Sequence, residues 1–154
     1  MCGITGIISG QNSIETLSTI IDTMCQELIH RGPDSGGIWV NTTHPVALGH
    51  RRLAIQDLSP AGHQPMISQS GKCAIAFNGE IYNFIELSKK LCADGYTFKG
   101  HSDTEILLTL LESQGVDKTL PQIDGMFSFA FWDEKQKKLT LCRDRLGEKP
   151  LYYG

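Results

Sequence analysis

A cysteine directly behind the initiator methionine, followed by Gly3 and then an apolar run, is an unusual place for a thiol. If Met1 is removed, Cys2 bears both a thiol and a free α-amine, whose ordinary pKa is about 7.7–8.0. The amine then sits beside the nucleophile and can serve as its base, while Gly3 leaves room for a substrate to approach. From position alone, an incidental small residue in a frayed tail is an equal reading.

Asn78-Gly79-Glu80 follows the apolar run Ala74–Phe77. An Asn amide and the next backbone N–H can converge on one oxygen, which is what an oxyanion hole requires. On the dipeptide alone the hairpin turn is the stronger reading, because Asn-Gly is a common turn pair. Arg52 lies between apolar segments, and its guanidinium fork suits a carboxylate, although a surface arginine at a strand edge would look the same. Asp103 falls in the first turn of a predicted helix, where the helix dipole already favours a carboxylate. Each signal is weak alone. Together they supply a thiol with its own amine, an oxyanion hole, one cation (Arg52) and two anions (Glu80, Asp103), a set that matches an α-amino acid with a side-chain acyl group, such as glutamine.

The elements that must position these groups can be read from periodicity. Ile4–Ile8 predicts a buried strand. Ile14, Leu17, Ile21, Met24 and Leu28 recur at helical spacing, with Asn12 and Glu15 as a capping box. Gly32 and Pro33 end that helix. Strands are expected at Gly37–Val40, Leu53–Ile55 and Ala74–Phe77. Helical periodicity runs over Ile81–Leu91 and again over Thr104–Leu111, the latter with Ser102 and Glu105 as a capping box. Phe127, Phe129 and Phe131 alternate as in a strand, and a charged hairpin loop at Asp133–Lys138 leads to the strand Leu139–Arg143. Elements come in groups rather than strict alternation, so the class is α+β. Leu151-Tyr152-Tyr153-Gly154 reads as a strand cut short, whose unpaired edge would invite self-association into a homo-oligomer.

Composition narrows the function class. At 154 residues the chain fits one domain, spanning 2–154. A formal net charge of -3 gives no electrostatic reason to expect nucleic acid or an anionic membrane. No segment reaches the ~20 apolar residues that span a bilayer. The five cysteines are widely spaced, odd in number and without a C-x-x-C pair, pointing to a reducing, cytoplasmic setting and to no zinc cage. The five histidines show no ligand spacing, so no metal site is expected. Two other readings stay open: a Cys–His hydrolase pairing Cys2 with His50 or His101, and a non-catalytic module.

Eight ordered blocks carry a resemblance. They are Met1-Cys2-Gly3-Ile4, His30-Arg31-Gly32-Pro33-Asp34, Leu48 to Ile55 (Leu-Gly-His-Arg-Arg-Leu-Ala-Ile) and Gly62-His63-Gln64-Pro65-Met66. Phe77 to Asn83 (Phe-Asn-Gly-Glu-Ile-Tyr-Asn), Ser102-Asp103-Thr104-Glu105, Asp124-Gly125-Met126-Phe127, and Arg143-Asp144-Arg145 with Lys149-Pro150-Leu151-Tyr152 complete the set. In this pattern the chain resembles the glutaminase domain of glutamine-hydrolysing asparagine synthetases, among the N-terminal-nucleophile hydrolases. The resemblance implies a four-layer αββα sandwich and glutamine as substrate. It implies Cys2 as the nucleophile that forms a glutamyl thioester and releases ammonia, with Asn78 and Gly79 as the oxyanion hole. Arg52 would bind the α-carboxylate, and Glu80 and Asp103 the α-amino group. It also implies a partner synthetase domain using ATP and magnesium. That domain is not expected within these residues, since Ser35-Gly36-Gly37 lacks the Asp-Ser of its pyrophosphate loop. This domain itself would need no cofactor, and its last strands look absent after Gly154.

Overall fold

The structure is a computed structural model, and it describes residues 2–10, 13–54 and 60–154. Among the described residues, seven strands form two antiparallel sheets. The first has the order β1 (Gly3–Ile8), β3 (Val46–Arg52), β2 (Ser35–Val40). The second has the order β4 (Met66–Ile67), β5 (Cys73–Ile81), β6 (Gly125–Asp133), β7 (Lys138–Arg143). Helix α1 (Ile14–Glu27) packs on the first sheet through Leu17 and Ile21 against Ala47. Helices α2 (Phe84–Ala93) and α3 (Asp103–Gln114) cover the second, with Leu87, Leu91, Ile106 and Leu107 against Ile75, Phe77, Phe129 and Phe131. The short α4 (Val116–Thr119) follows. Between the sheets lies a third apolar layer of Val46, Leu48, Ala74, Ala76, Ala130 and Trp132. Helix, sheet, sheet, helix: this is the four-layer αββα sandwich.

Strand alternation explains where a site can form. Successive side chains point to opposite faces, so the inner face of β3 reads Val46, Leu48, His50, Arg52, and that of β5 reads Ala74, Ala76, Asn78, Glu80. Both series are apolar at one end of the sandwich and polar at the other. The small residues Ala74, Ala76 and Ala130 let the sheets approach at the apolar end. The polar end is left for ligand chemistry.

Several expected boundaries move. Ser13 caps α1, accepting from Thr16 N–H at 3.3 Å, whereas the expected cap Asn12 lies outside the described residues. The strand expected at Leu53–Ile55 is instead β3, ending at Arg52. Leu53 leaves the ladder because its N–H goes to Cys2, and Ala54 N–H is taken by Asp34 Oδ2 at 2.8 Å. Ile55 is outside the described residues. Asn78-Gly79 is not a turn, since β5 runs unbroken to Ile81 and pairs residue by residue with β6. The helix expected from Ile81 therefore starts only at Phe84. Ser102 caps α3 as expected, accepting from Glu105 N–H, but the Glu105 carboxylate accepts from Lys99 and Gly100 N–H, each at 2.9 Å. Residues 151–154 form no strand where one was expected, and Tyr152 and Tyr153 are exposed.

Candidate functional site

Cys2 precedes β1 at the polar end of the sandwich, on the inner face shared with Ile4. Its Sγ lies 3.4 Å from Leu53 N–H and 3.7 Å from Leu53 C=O, so a backbone donor stands ready beside the sulfur in its thiolate form. The Gly32 block braces this corner from behind. Arg51 Nε donates to Gly32 C=O at 3.2 Å, and a Cβ on Gly32 would stand 2.4 Å from the Arg51 carbonyl. Arg31 reaches the Cys2 carbonyl at 3.5 Å. Among the described residues, Sγ therefore meets Leu53 rather than a histidine. His50 turns away from it, donating from Nε2 to Phe77 C=O at 3.0 Å. Burial lowers the His50 pKa to about 4, so the ring is neutral. A Cys–His pair with His50 is not built.

One cavity of about 280 Å³ is lined by Cys2, Arg52, Asn78, Gly79, Glu80 and Asp103 together. All six residues singled out in the sequence thus meet, from the residue before β1, from β3 and β5, and from the first turn of α3. Asn78 is buried on the inner face of β5. The direction of the Gly79 N–H follows from the ladder. Phe127 spends its C=O and N–H on Asp144, on the far side of β6. Its partner Gly79 is therefore a non-hydrogen-bonded pair, and the Gly79 N–H faces the opposite edge of β5, where the cavity lies. No side chain fits at Gly79, since a Cβ would stand 2.3 Å from the Met126 carbonyl oxygen. Asp103 is buried, and desolvation raises its pKa, partly offset by hydrogen bonds from Ile81 N–H (2.9 Å) and from Thr104. A ligand ammonium beside it would relieve that cost.

The same cavity includes residues to which no role was given from sequence: Gln64, Thr104 and Lys149. Gln64 and Lys149 sit in two of the ordered blocks, but nothing in their spacing marks them. Lys149 comes into place through Asp144, whose carboxylate accepts from Phe127, Leu146, Glu148 and Lys149 N–H at 2.8–3.2 Å. Burial alone would push the Asp144 carboxyl up, but the backbone N–H groups of Lys149, Glu148, Phe127 and Gly147 together hold it below its ordinary value. Among the described residues no cluster of three or more His, Cys, Asp or Glu side chains could hold a metal ion. None of their helices is long and apolar enough to cross a membrane. All five cysteines are free.

Residues 1–154 match the glutamine amidotransferase domain family. Amidase chry2 of Gibberella zeae is 38% identical, over 99% of this chain and 24% of its own length. Asparagine synthetase [glutamine-hydrolyzing] 3 of Bacillus subtilis is 40% identical, over 99% of this chain and 25% of its own length. The chain thus spans about a quarter of the length of these curated relatives. Among solved structures, the allosteric regulatory enzyme of purine biosynthesis superposes with a TM-score of 0.74 at 24% identity, covering 94% of this chain and 37% of that one.

Proposed function

This chain belongs to the glutamine amidotransferase domain family, and on that premise we propose that it hydrolyses glutamine to glutamate and ammonia through a thioester on Cys2. The observation that carries this reading is the single cavity where Cys2, Arg52, Asn78, Gly79, Glu80 and Asp103 converge. With Met1 removed, the Cys2 α-amine takes the thiol proton as Sγ attacks the glutamine side-chain carbonyl carbon. The carbonyl oxygen becomes an oxyanion, which accepts from the Asn78 amide and the Gly79 N–H. The C–N bond breaks, the proton passes to the leaving nitrogen, and ammonia departs. Water then adds to the thioester, and glutamate leaves with Sγ restored. Arg52 pairs with the substrate α-carboxylate, and Glu80 and Asp103 with its α-ammonium. Three formal charges on the protein side, matched to the substrate zwitterion, thus fix which end of glutamine reaches Cys2.

The ammonia is proposed to serve an asparagine synthetase-type reaction in a synthetase domain that uses ATP and magnesium, with this domain needing no cofactor. Five free cysteines and a net charge of -3 support a cytoplasmic setting without nucleic acid or membrane partners. Glutamate release is the test. The protein should release glutamate from glutamine without ATP, and Cys2→Ala should abolish that release. Equal turnover by Cys2→Ala would overturn the proposal.

A further inference from the structure

The outer edge of β5 presents three backbone N–H groups in one direction, those of Phe77, Gly79 and Ile81. Strand β4 covers this edge only opposite Ala74 and Ile75. Beyond it, side chains take the place of a neighbouring strand. Gln64 Oε1 accepts from Phe77 N–H at 2.7 Å, and Asp103 Oδ2 accepts from Ile81 N–H at 2.9 Å. The Gly79 N–H lies between these two satisfied donors, facing the cavity. Gln64 is itself buried and anchored, its Nε2 donating to Thr104 Oγ1 at 3.4 Å. Its backbone rests on β2 so closely that a Cβ on Gly37 would stand 2.4 Å from the Gln64 carbonyl oxygen.

We propose that Gln64 is a positioning residue for glutamine hydrolysis, holding the Phe77 peptide so that Asn78 and the Gly79 N–H are aimed at the developing oxyanion. This rests on the glutaminase reading given above. The residue type follows from the two bonds: one planar amide accepts from the strand and donates to the helix, which no apolar or purely acceptor side chain does. A leucine of similar size would leave the buried Phe77 N–H without a partner and free the strand edge to shift. A displacement near 1 Å costs up to roughly 100-fold in rate. Because the oxyanion forms only during reaction, the loss falls on kcat rather than KM.

The test compares the parent protein with Gln64→Leu, Gln64→Glu and Thr104→Val, with thermal melting to check folding. Gln64→Leu should lower kcat by roughly 10- to 100-fold with KM little changed. It should weaken, by a similar factor, an aldehyde analogue of glutamine that adds the Cys2 thiol across its C=O bond, while glutamate binding holds. Gln64→Glu keeps the acceptor for Phe77 but loses the donor to Thr104, and should recover part of kcat. Thr104→Val, which removes the anchor together with the hydroxyl's bond to Asp103 Oδ1 at 3.4 Å, should show a smaller fall in kcat. Amide hydrogen exchange at Phe77 should quicken in Gln64→Leu, a readout independent of turnover. Parental kcat in Gln64→Leu or in Thr104→Val, a change confined to KM, no recovery in Gln64→Glu, or unchanged exchange at Phe77 would each overturn the proposal. Failure of the glutaminase reading shows itself separately, as absent or Cys2-independent glutamate release by the parent.

Discussion

At the scale of single residues, binding and chemistry are divided between side chains that can be separated by mutation. Asn78 is buried on β5, and in the proposed role its amide donates to charge that develops only in the transition state. Asn78→Ala should therefore lower kcat by on the order of 10²–10³ with little effect on KM. Arg52, at the end of β3, is proposed to meet a carboxylate present in substrate and transition state alike, so Arg52→Ala should raise KM first. Steady-state kinetics on the two variants decide this, and the reverse pattern would exchange the assigned roles.

At the scale of elements, β3 and β5 matter most, because His50 on one bonds Phe77 on the other across the sandwich. Burial is the main reason that His50 titrates near 4 rather than at its ordinary 6.5, against the opposing effect of its bond to Phe77. Between those values the unfolded chain holds a proton that the folded chain does not. Stability should therefore fall as pH drops from 6.5 to about 4, by on the order of 3 kcal/mol. Urea unfolding across that range measures it, and His50→Gln should flatten the slope. The elements also show what could be read in advance. Alternation of Phe127, Phe129 and Phe131 marked β6, and the spacing of Leu17 and Ile21 marked α1, because each pattern records one buried face. The Asn78-Gly79 pair misleads as a local turn signal: its strand is enforced by pairing with Ser128 and Phe127, distant in sequence. The six site residues could be named from their chemistry together with the ordered blocks. Gln64 and Lys149 could not be given roles, because Gln64 acts through a backbone N–H and Lys149 arrives through the turn around Asp144, neither of which leaves a spacing.

At the scale of the whole molecule, the two sheets are also joined at the end away from the cavity. The Glu134 carboxylate accepts from Asn41 Nδ2 at 2.6 Å, Trp132 Nε1 at 2.7 Å and Thr43 Oγ1 at 3.1 Å, linking the β2–β3 hairpin to the β6–β7 hairpin. The bond from Trp132, followed by those from Asn41 and Thr43, holds the Glu134 carboxyl below its ordinary value. Glu134→Ala should cost about 1–3 kcal/mol of stability, read by chemical denaturation, while kcat and KM stay at parental values. A change in kcat without a change in stability would mean that this clasp communicates with the site. The central claim is that one thiol, paired with its own α-amine, carries the chemistry, and it is tested most directly by intact mass after exposure to a glutamine-like electrophile. The account predicts a protein lacking Met1 that gains one adduct, located on Cys2, with Cys25, Cys73, Cys92 and Cys142 unmodified. A single adduct on another cysteine, or full glutamine hydrolysis by protein that retains Met1, would contradict it.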